Sequence, residues 1–464
     1  MGMDGARIIE GNGIYSILEA ASGEKCYCLN AIPNLSWEEQ RLLGEVAGLF
    51  QKAGKRPDAK GLRLFFREYC FRNFILLEKR QVQYLCEALE RHVFGFGPLD
   101  YLLSDDCLEE IASIGIGPEK PVFVFHRRHG WLSTNIFFSS PDFVRELANR
   151  MARSLGRRLS MGSPVMNAVM PDGSRLSAVI SPVSFHGPSL TIRKFSKRPF
   201  TPAQLVENRT FSAELMAFLW VAMQCDCSIL LVGNTGSGKT SSLNALLSFV
   251  PMRERIVVVE ETPEIRVLHQ HFVKLNVVGE QGIGMHDLIV ESLRMRPDRI
   301  VVGEIRGIQE VSAFIDTMLA GQGKGSYATF HGQSASEAVG RLRCLGAMEE
   351  DIASIDLVVV QRRWNIIGKH GMQAETRRVV EVAELLQEDG RLACRPVFGF
   401  DYRKMALSRC GESERAFGKA QRSFSFGRRG WELELARRKS FLERPELKGI
   451  GIEAFFREVN GFAG

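Results

Sequence analysis

The residues with the most chemical promise are Lys239 and Thr240, which close the run Gly233, Asn234, Thr235, Gly236, Ser237, Gly238, Lys239, Thr240. Glycines at the first, fourth and sixth places let backbone N–H groups turn inward around phosphate oxygens; a lysine in this position reaches the β and γ phosphates, and the hydroxyl after it ligates Mg²⁺. An apolar run at 228–232 precedes the loop and a helix-forming stretch at 241–250, opened by Ser241, follows it. The reading is strand, phosphate loop, helix, with the positive helix end adding to the anion site. Its chemistry is the binding of a nucleoside triphosphate with Mg²⁺.

Three more groups stand at the ends of short strand-like runs, the first two of them rich in Val and Ile. Residues 256–259 finish in Glu260 and Glu261, residues 299–302 precede Gly303 and Glu304, and residues 325–330 lead to His331. An acid closing such a strand is placed to hold Mg²⁺ through water and to polarise an attacking water, so Glu304 is the expected residue for that work. Either Glu260 or Glu261 can meet the same water, and the spacing does not choose between them. His331 gains interest from its place in this series, since a strand-end imidazole there can contact the γ-phosphate.

The elements that must position these groups follow α/β grammar: strands at 228–232, 255–260, 299–302 and 325–329 alternate with helical segments, and 356–361 and 378–385 extend the sheet as a hairpin with a turn at 387–390. Residues 205–464 are therefore expected to form one α/β domain with a helical C-terminal tail, amphipathic over 431–443. Ahead of it, 95–195 reads as a smaller α+β module with strands at 122–126 and 131–138, a helix at 141–155 and a turn at 170–175. The proline-bearing stretch 196–204 is the expected hinge linker. Residues 1–94 form an N-terminal extension, helical from about 61, with nothing in its first 60 residues to assign a role.

The 464 residues suffice for two or three cores. The net charge of +6 is weak for a dedicated nucleic-acid binder, and none of the ten cysteines has zinc-ligand spacing. With neither a secretion signal nor an apolar span in view, a cytoplasmic protein with reduced thiols is expected.

The order of phosphate loop, Glu260/Glu261, Arg294-Met295-Arg296-Pro297-Asp298 with Glu304, then His331 resembles the ATPases of type II and type IV secretion systems. Pro171-Asp172-Gly173-Ser174-Arg175, Thr191-Ile192-Arg193-Lys194-Phe195 and Gly303-Glu304-Ile305-Arg306-Gly307 bring the resemblance closest to the archaeal branch, which drives archaellum rotation and type IV pilus assembly; it covers roughly 95–400. It implies a RecA-like ATPase domain behind a PAS-like module and an ATP site of Lys239, Glu260, Glu304 and His331. Arg175, Arg193, Arg294 and Arg296 match family arginines that approach the phosphates at domain or subunit borders. It further implies a Mg²⁺-dependent homo-hexamer, peripheral to the cytoplasmic membrane. Such a hexamer would dock on a polytopic platform protein and act indirectly on pilin-like subunits. Two departures stand out: Glu260-Glu261-Thr262 replaces Glu-Asp-Thr, and His331-Gly332-Gln333 replaces His-Ala-Asp or His-Ala-Asn.

The rival readings are a hexameric nucleic-acid-translocating ATPase and a non-hydrolysing regulatory subunit. The first lacks basic loops interleaved with exposed aromatics near the nucleotide site, so nucleic acid is not an expected partner. His269, His271 and His286 read as surface or structural histidines. The arginine-rich tail (Arg422, Arg428, Arg429, Arg437, Arg438, Lys439) reads as a solvated helical face, with anionic lipid or a membrane protein as its functional alternative.

Overall fold

The computed structural model describes residues 6–30, 35–52, 58–153, 158–195, 198–278, 282–319, 324–367 and 373–462. It divides into two compact units, Met1–Lys197 and Arg198–Gly464.

The first unit is built on a nine-stranded sheet of β1 (Arg7–Asn12), β2 (Tyr15–Glu19), β3 (Lys25–Leu29), β4 (Leu108–Ser113), β5 (Phe123–His126), β6 (Gly130–Thr134), β7 (Val165–Val169), β8 (Arg175–Val179) and β9 (Ser189–Arg193), in the spatial order β1-β2-β3-β6-β5-β4-β9-β8-β7. The helix Pro141–Met151, opened by Ser140 and a first-turn proline, packs Val144, Leu147, Ala148 and Met151 against it. Helices Trp37–Lys52, Ala59–Arg72 and Lys79–Phe94 form a separate small bundle around Leu43, Val46, Phe50, Leu62, Phe66, Leu85 and Leu89.

This corrects the expected extension. Residues 7–29 are three strands of the module's own sheet, joined to it where β3 pairs in parallel with β6, Cys26 beside Ser133. The helical pattern after 61 breaks at 73–78, where Phe74 has a positive φ of 56°.

The second unit is an α/β domain whose nine strands are β10 (Ile229–Gly233), β11 (Ile256–Glu260), β12 (Phe272–Asn276), β13 (Arg299–Ile305), β14 (Ser326–His331), β15 (Leu357–Ile367), β16 (Gln373–Glu388), β17 (Arg391–Asp401) and β18 (Ala406–Arg409). Their order is β12-β11-β13-β14-β10-β15-β16-β17-β18, parallel from β12 through β15 and antiparallel beyond. β10, β11 and β13 read as unbroken Val/Ile/Leu runs because both of their faces are covered, whereas the edge strand β12 is not buried. Ile229 and Leu231 join the core under the helix Ala213–Gln224 and the C-terminal helices, while Leu230 and Val232 join the core under the helices Met285–Ser292, Ile308–Leu319 and Ala335–Cys344.

Two expectations change here. Of the linker, 196–197 lie outside the described residues, and the remainder is not a free tether. Thr201 is buried and caps the helix Pro202–Glu207 in a reciprocal pair with Gln204, and Ala203 is in the core. In the tail helix Arg428–Leu442, Arg438 is not solvated: its side chain is 4% exposed, bonds Glu434 at 2.8 Å and lies over the Trp220 ring at 4.9 Å. Arg428 is likewise engaged, by Glu412 and Glu414.

Candidate functional site

The site lies along the C-terminal edge of the parallel strands of the second unit. β10 runs into the loop, and two of its glycines, Gly236 (φ 74°) and Gly238 (φ 95°), adopt the left-handed backbone that non-glycine residues avoid. At Gly233 a Cβ would collide with the Gln361 carbonyl oxygen and the Ser237 hydroxyl, so that position too has room only for glycine. The helix Lys239–Leu246 starts directly behind the loop, giving it a cluster of inward N–H groups and the positive end of a helix dipole.

β15 braces this loop from the side. Gln361, buried, donates from Nε2 to the Ser237 carbonyl at 2.7 Å and accepts at Oε1 from the Ser242 hydroxyl at 2.7 Å. The Asn234 side chain donates to the Arg363 carbonyl and accepts from its N–H, both at 3.0 Å. Lys239 Nζ donates to the carbonyls of Gly233 (3.0 Å) and Asn234 (3.3 Å). Ser237 Oγ is buried with no hydrogen-bond partner. A buried ammonium resting on loop carbonyls, an orphaned hydroxyl and a glycine-shaped cradle are the donor set that a triphosphate and its Mg²⁺ require, so the residues present fit that group. Thr235 and Ser241 sit on the exposed side of the loop, and Thr240 is half-buried.

Parallel pairing places His331, the last residue of β14, directly beside Gly233. Glu304 reaches the same place through a bulge. The β13–β14 register shifts between Val302 and Ile305, and the Thr329 hydroxyl bonds the Gly303 carbonyl at 2.6 Å, so the acid is aimed out of the ladder. Its Oε1 accepts from His331 Nε2 at 2.7 Å, and its Oε2 accepts from Arg306 Nε at 2.7 Å. Burial pushes the Glu304 carboxyl up, but the Arg306 hydrogen bond and the charges around it, Arg306 first, outweigh it, and the net shift is downward: a carboxylate. Burial and then Lys239 lower the His331 imidazole, Glu304 opposing them, so the ring is neutral at pH 7 and donates Nε2–H.

Glu260 and Glu261, which the sequence could not separate, differ sharply. Glu260 is buried; its Oε1 accepts from the N–H groups of Glu264 and Ile265, both at 2.8 Å, while its Oε2 has no partner. Burial raises its pKa against those two hydrogen bonds. Glu261 is exposed and ion-paired to Arg306. Arg306 thus bridges Glu261 and Glu304, a role that sequence reasoning missed although the residue lies in a quoted motif. Gln361 was missed as well; its signal is a polar residue at the end of the buried run 357–360.

Of the four arginines, two belong to this unit and two to the first. Arg294 is exposed and pairs with Glu291 from its own helical turn at 2.7 Å; Arg296 is exposed in left-handed backbone (φ 50°). Arg175 and Arg193 belong to the first unit and face each other across β8 and β9. The three histidines go separate ways. His269 is buried against the Val250 carbonyl, His271 meets Arg255 and His286 lies by Asp287.

The family model described as "Type II/IV secretion system protein" matches residues 106–407. An uncharacterised protein of Methanocaldococcus jannaschii is 39% identical over 47% of this chain and 32% of its own length. A second from the same organism is 33% identical over 73% of this chain and 61% of its own length. The chain therefore spans about a third of one of these relatives and about three fifths of the other. A putative conjugal transfer protein of Mycobacterium tuberculosis is 31% identical over 68% of this chain and 91% of its own length. Among the described residues no helix is long and apolar enough to cross a membrane. With the family model covering more than half of it, the chain belongs to the type II/IV secretion system protein family.

Proposed function

We propose that this chain is a Mg²⁺-dependent ATPase working as a homo-hexameric motor, which powers assembly or secretion of pilin-like subunits at a polytopic membrane platform protein. The observation that carries the reading is the placement of Glu260, Glu304 and His331 at the C-terminal ends of β11, β13 and β14, in one sheet with β10 and the loop that carries Lys239. Kinship with a putative conjugal transfer protein supports the secretion setting.

Thr240 and, through water, Glu304 would hold Mg²⁺, which supplies charge neutralisation at the β and γ phosphates. Lys239 exchanges its loop carbonyls for phosphate oxygens, and Ser237 Oγ gains its missing partner. The unpartnered Oε2 of Glu260 is the acceptor for the attacking water, while Oε1 keeps the carboxylate anchored; Glu261, occupied by Arg306, is not. Arg306 and neutral His331 fix the Glu304 carboxylate from opposite oxygens, keeping it ionised and oriented.

Arg294 and Arg296, displayed at the surface, and the facing pair Arg175 and Arg193 are the cations a neighbouring subunit would use, a contribution of about 10³ in rate where such arginines act in trans. The test is complementation. Lys239→Ala and Arg175→Ala/Arg193→Ala are each expected to be inactive alone, and mixing them restores hydrolysis if site and arginines come from different subunits. A mixture as inactive as its parts overturns the shared-site hexamer.

A further inference from the structure

Exposed apolar side chains are scattered over most of the described surface, but one group is concentrated. Phe71, Phe74 and Leu76 are 85%, 92% and 97% exposed within six residues, at the turn joining the helices Ala59–Arg72 and Lys79–Phe94. Leu64, two helical turns before Phe71 and on the same helix face, is 60% exposed. This turn is built, not frayed. Ile75 N–H bonds the Cys70 carbonyl at 2.9 Å, and Asn73 bonds the Tyr69 carbonyl through both its backbone (3.1 Å) and its side chain (2.9 Å). Ile75 and Leu77 pack onto the bundle core, so Phe74 and Leu76 alternate outward. Phe74 takes the left-handed backbone disfavoured for a bulky residue, the kind of local strain that collects at functional turns.

The surroundings are basic. Between Arg63 and Arg80 there are five Arg or Lys against two Glu, and Glu68 is spent on Arg72 at 2.5 Å. Arg67, Lys79 and Arg80 are exposed beside the apolar turn. Protruding aromatic and aliphatic side chains collared by cations are the composition of an interfacial membrane anchor.

We propose that this turn inserts Phe71, Phe74 and Leu76 into the headgroup region of an anionic phospholipid surface, with Arg67, Lys79 and Arg80 on the phosphates. The tail helix, the alternative seen from sequence, is the poorer candidate because Arg438 is buried and Arg428 is neutralised by Glu412 and Glu414. The inference concerns the first unit and does not rest on ATP hydrolysis.

Flotation of the full chain without nucleotide, using phosphatidylglycerol-containing and pure phosphatidylcholine vesicles, tests it. Wild type is expected to float with the anionic vesicles, less so as salt is raised. Phe71→Ser/Phe74→Ser/Leu76→Ser should bind at least about tenfold more weakly with an unchanged melting temperature, since these side chains are solvent-exposed in the folded chain. Arg67→Ser/Lys79→Ser/Arg80→Ser should lose the preference for anionic vesicles. A wild type that floats with neither vesicle, one that shows no anionic preference, or a serine variant that binds like wild type would each overturn the proposal, the first pointing to a protein as the occupant. Because nucleotide is absent, failure here leaves the ATPase reading untouched, and loss of hydrolysis would not mimic it.

Discussion

The two ends of one parallel sheet carry similar charged residues and put them to opposite uses. At the N-terminal ends, Arg299 is fully buried and satisfied on all sides: Glu254 at 2.6 Å, Asp226 at 3.2 Å, the Lys324 carbonyl at 2.7 Å and the Tyr327 hydroxyl at 3.0 Å. At the C-terminal ends, Glu304 is partly exposed, Glu260 keeps one oxygen without a partner, Ser237 keeps its hydroxyl without one, and Lys239 rests on the Gly233 and Asn234 carbonyls. A closed network fixes a fold. Open valences inside a rigid frame are what a ligand can fill.

If that contrast is right, breaking the closed end costs stability and breaking the open end costs activity. The largest effect is expected from Arg299→Ala, which takes the buried guanidinium from Asp226 and leaves Glu254 with Lys324 alone: about 3–5 kcal/mol lost in urea unfolding. A loss under about 1 kcal/mol would remove the distinction between the two ends. Next comes Glu304→Gln, with turnover reduced by about 10²-fold or more and the melting temperature moved by no more than about 4 °C. Unfolding in place of inactivity would make Glu304 a structural residue.

Much of this edge was legible in the sequence because the phosphate loop, Glu260 and Glu304 each follow a run rich in Val, Ile or Leu, and doubly covered parallel strands leave that signature without help from distant residues. What escaped depends on partners far along the chain. Residues 7–29 hold three glycines and three glutamates among short apolar stretches, and only pairing with β6, a hundred residues later, makes β3 an interior strand. The bulge that aims Glu304 and the bridge from Arg306 to Glu261 arise from strand register, which no local pattern encodes. Arg438 looked solvated because its neighbours are charged, whereas the Trp220 ring that receives it is more than 200 residues earlier in the chain.

Two smaller effects sharpen the account of the open end. Gln361→Ala removes its bonds to Ser237 and Ser242 and leaves the Asn234–Arg363 pair as the brace from β15, and a rise of about tenfold in KM for ATP is expected with little change in kcat, read from steady-state kinetics. An unchanged KM would mean that the Asn234 contacts hold the loop alone. Smallest is the pH effect of His331. Its folded pKa lies below the ordinary 6.5, so the unfolded chain binds more protons and stability falls as pH drops from 6.5 toward the depressed value. His331→Gln should flatten the melting temperature across that window; an identical slope in the variant would place the titrating group elsewhere.

The most direct test of the central claim is steady-state hydrolysis of Mg²⁺-ATP by the purified chain beside Lys239→Ala, across protein concentration. The account predicts turnover by the wild type that rises per subunit as the chain assembles, and none above background in the variant. Equal rates in both proteins, or a wild type that binds ATP and never hydrolyses it at any concentration, would contradict it.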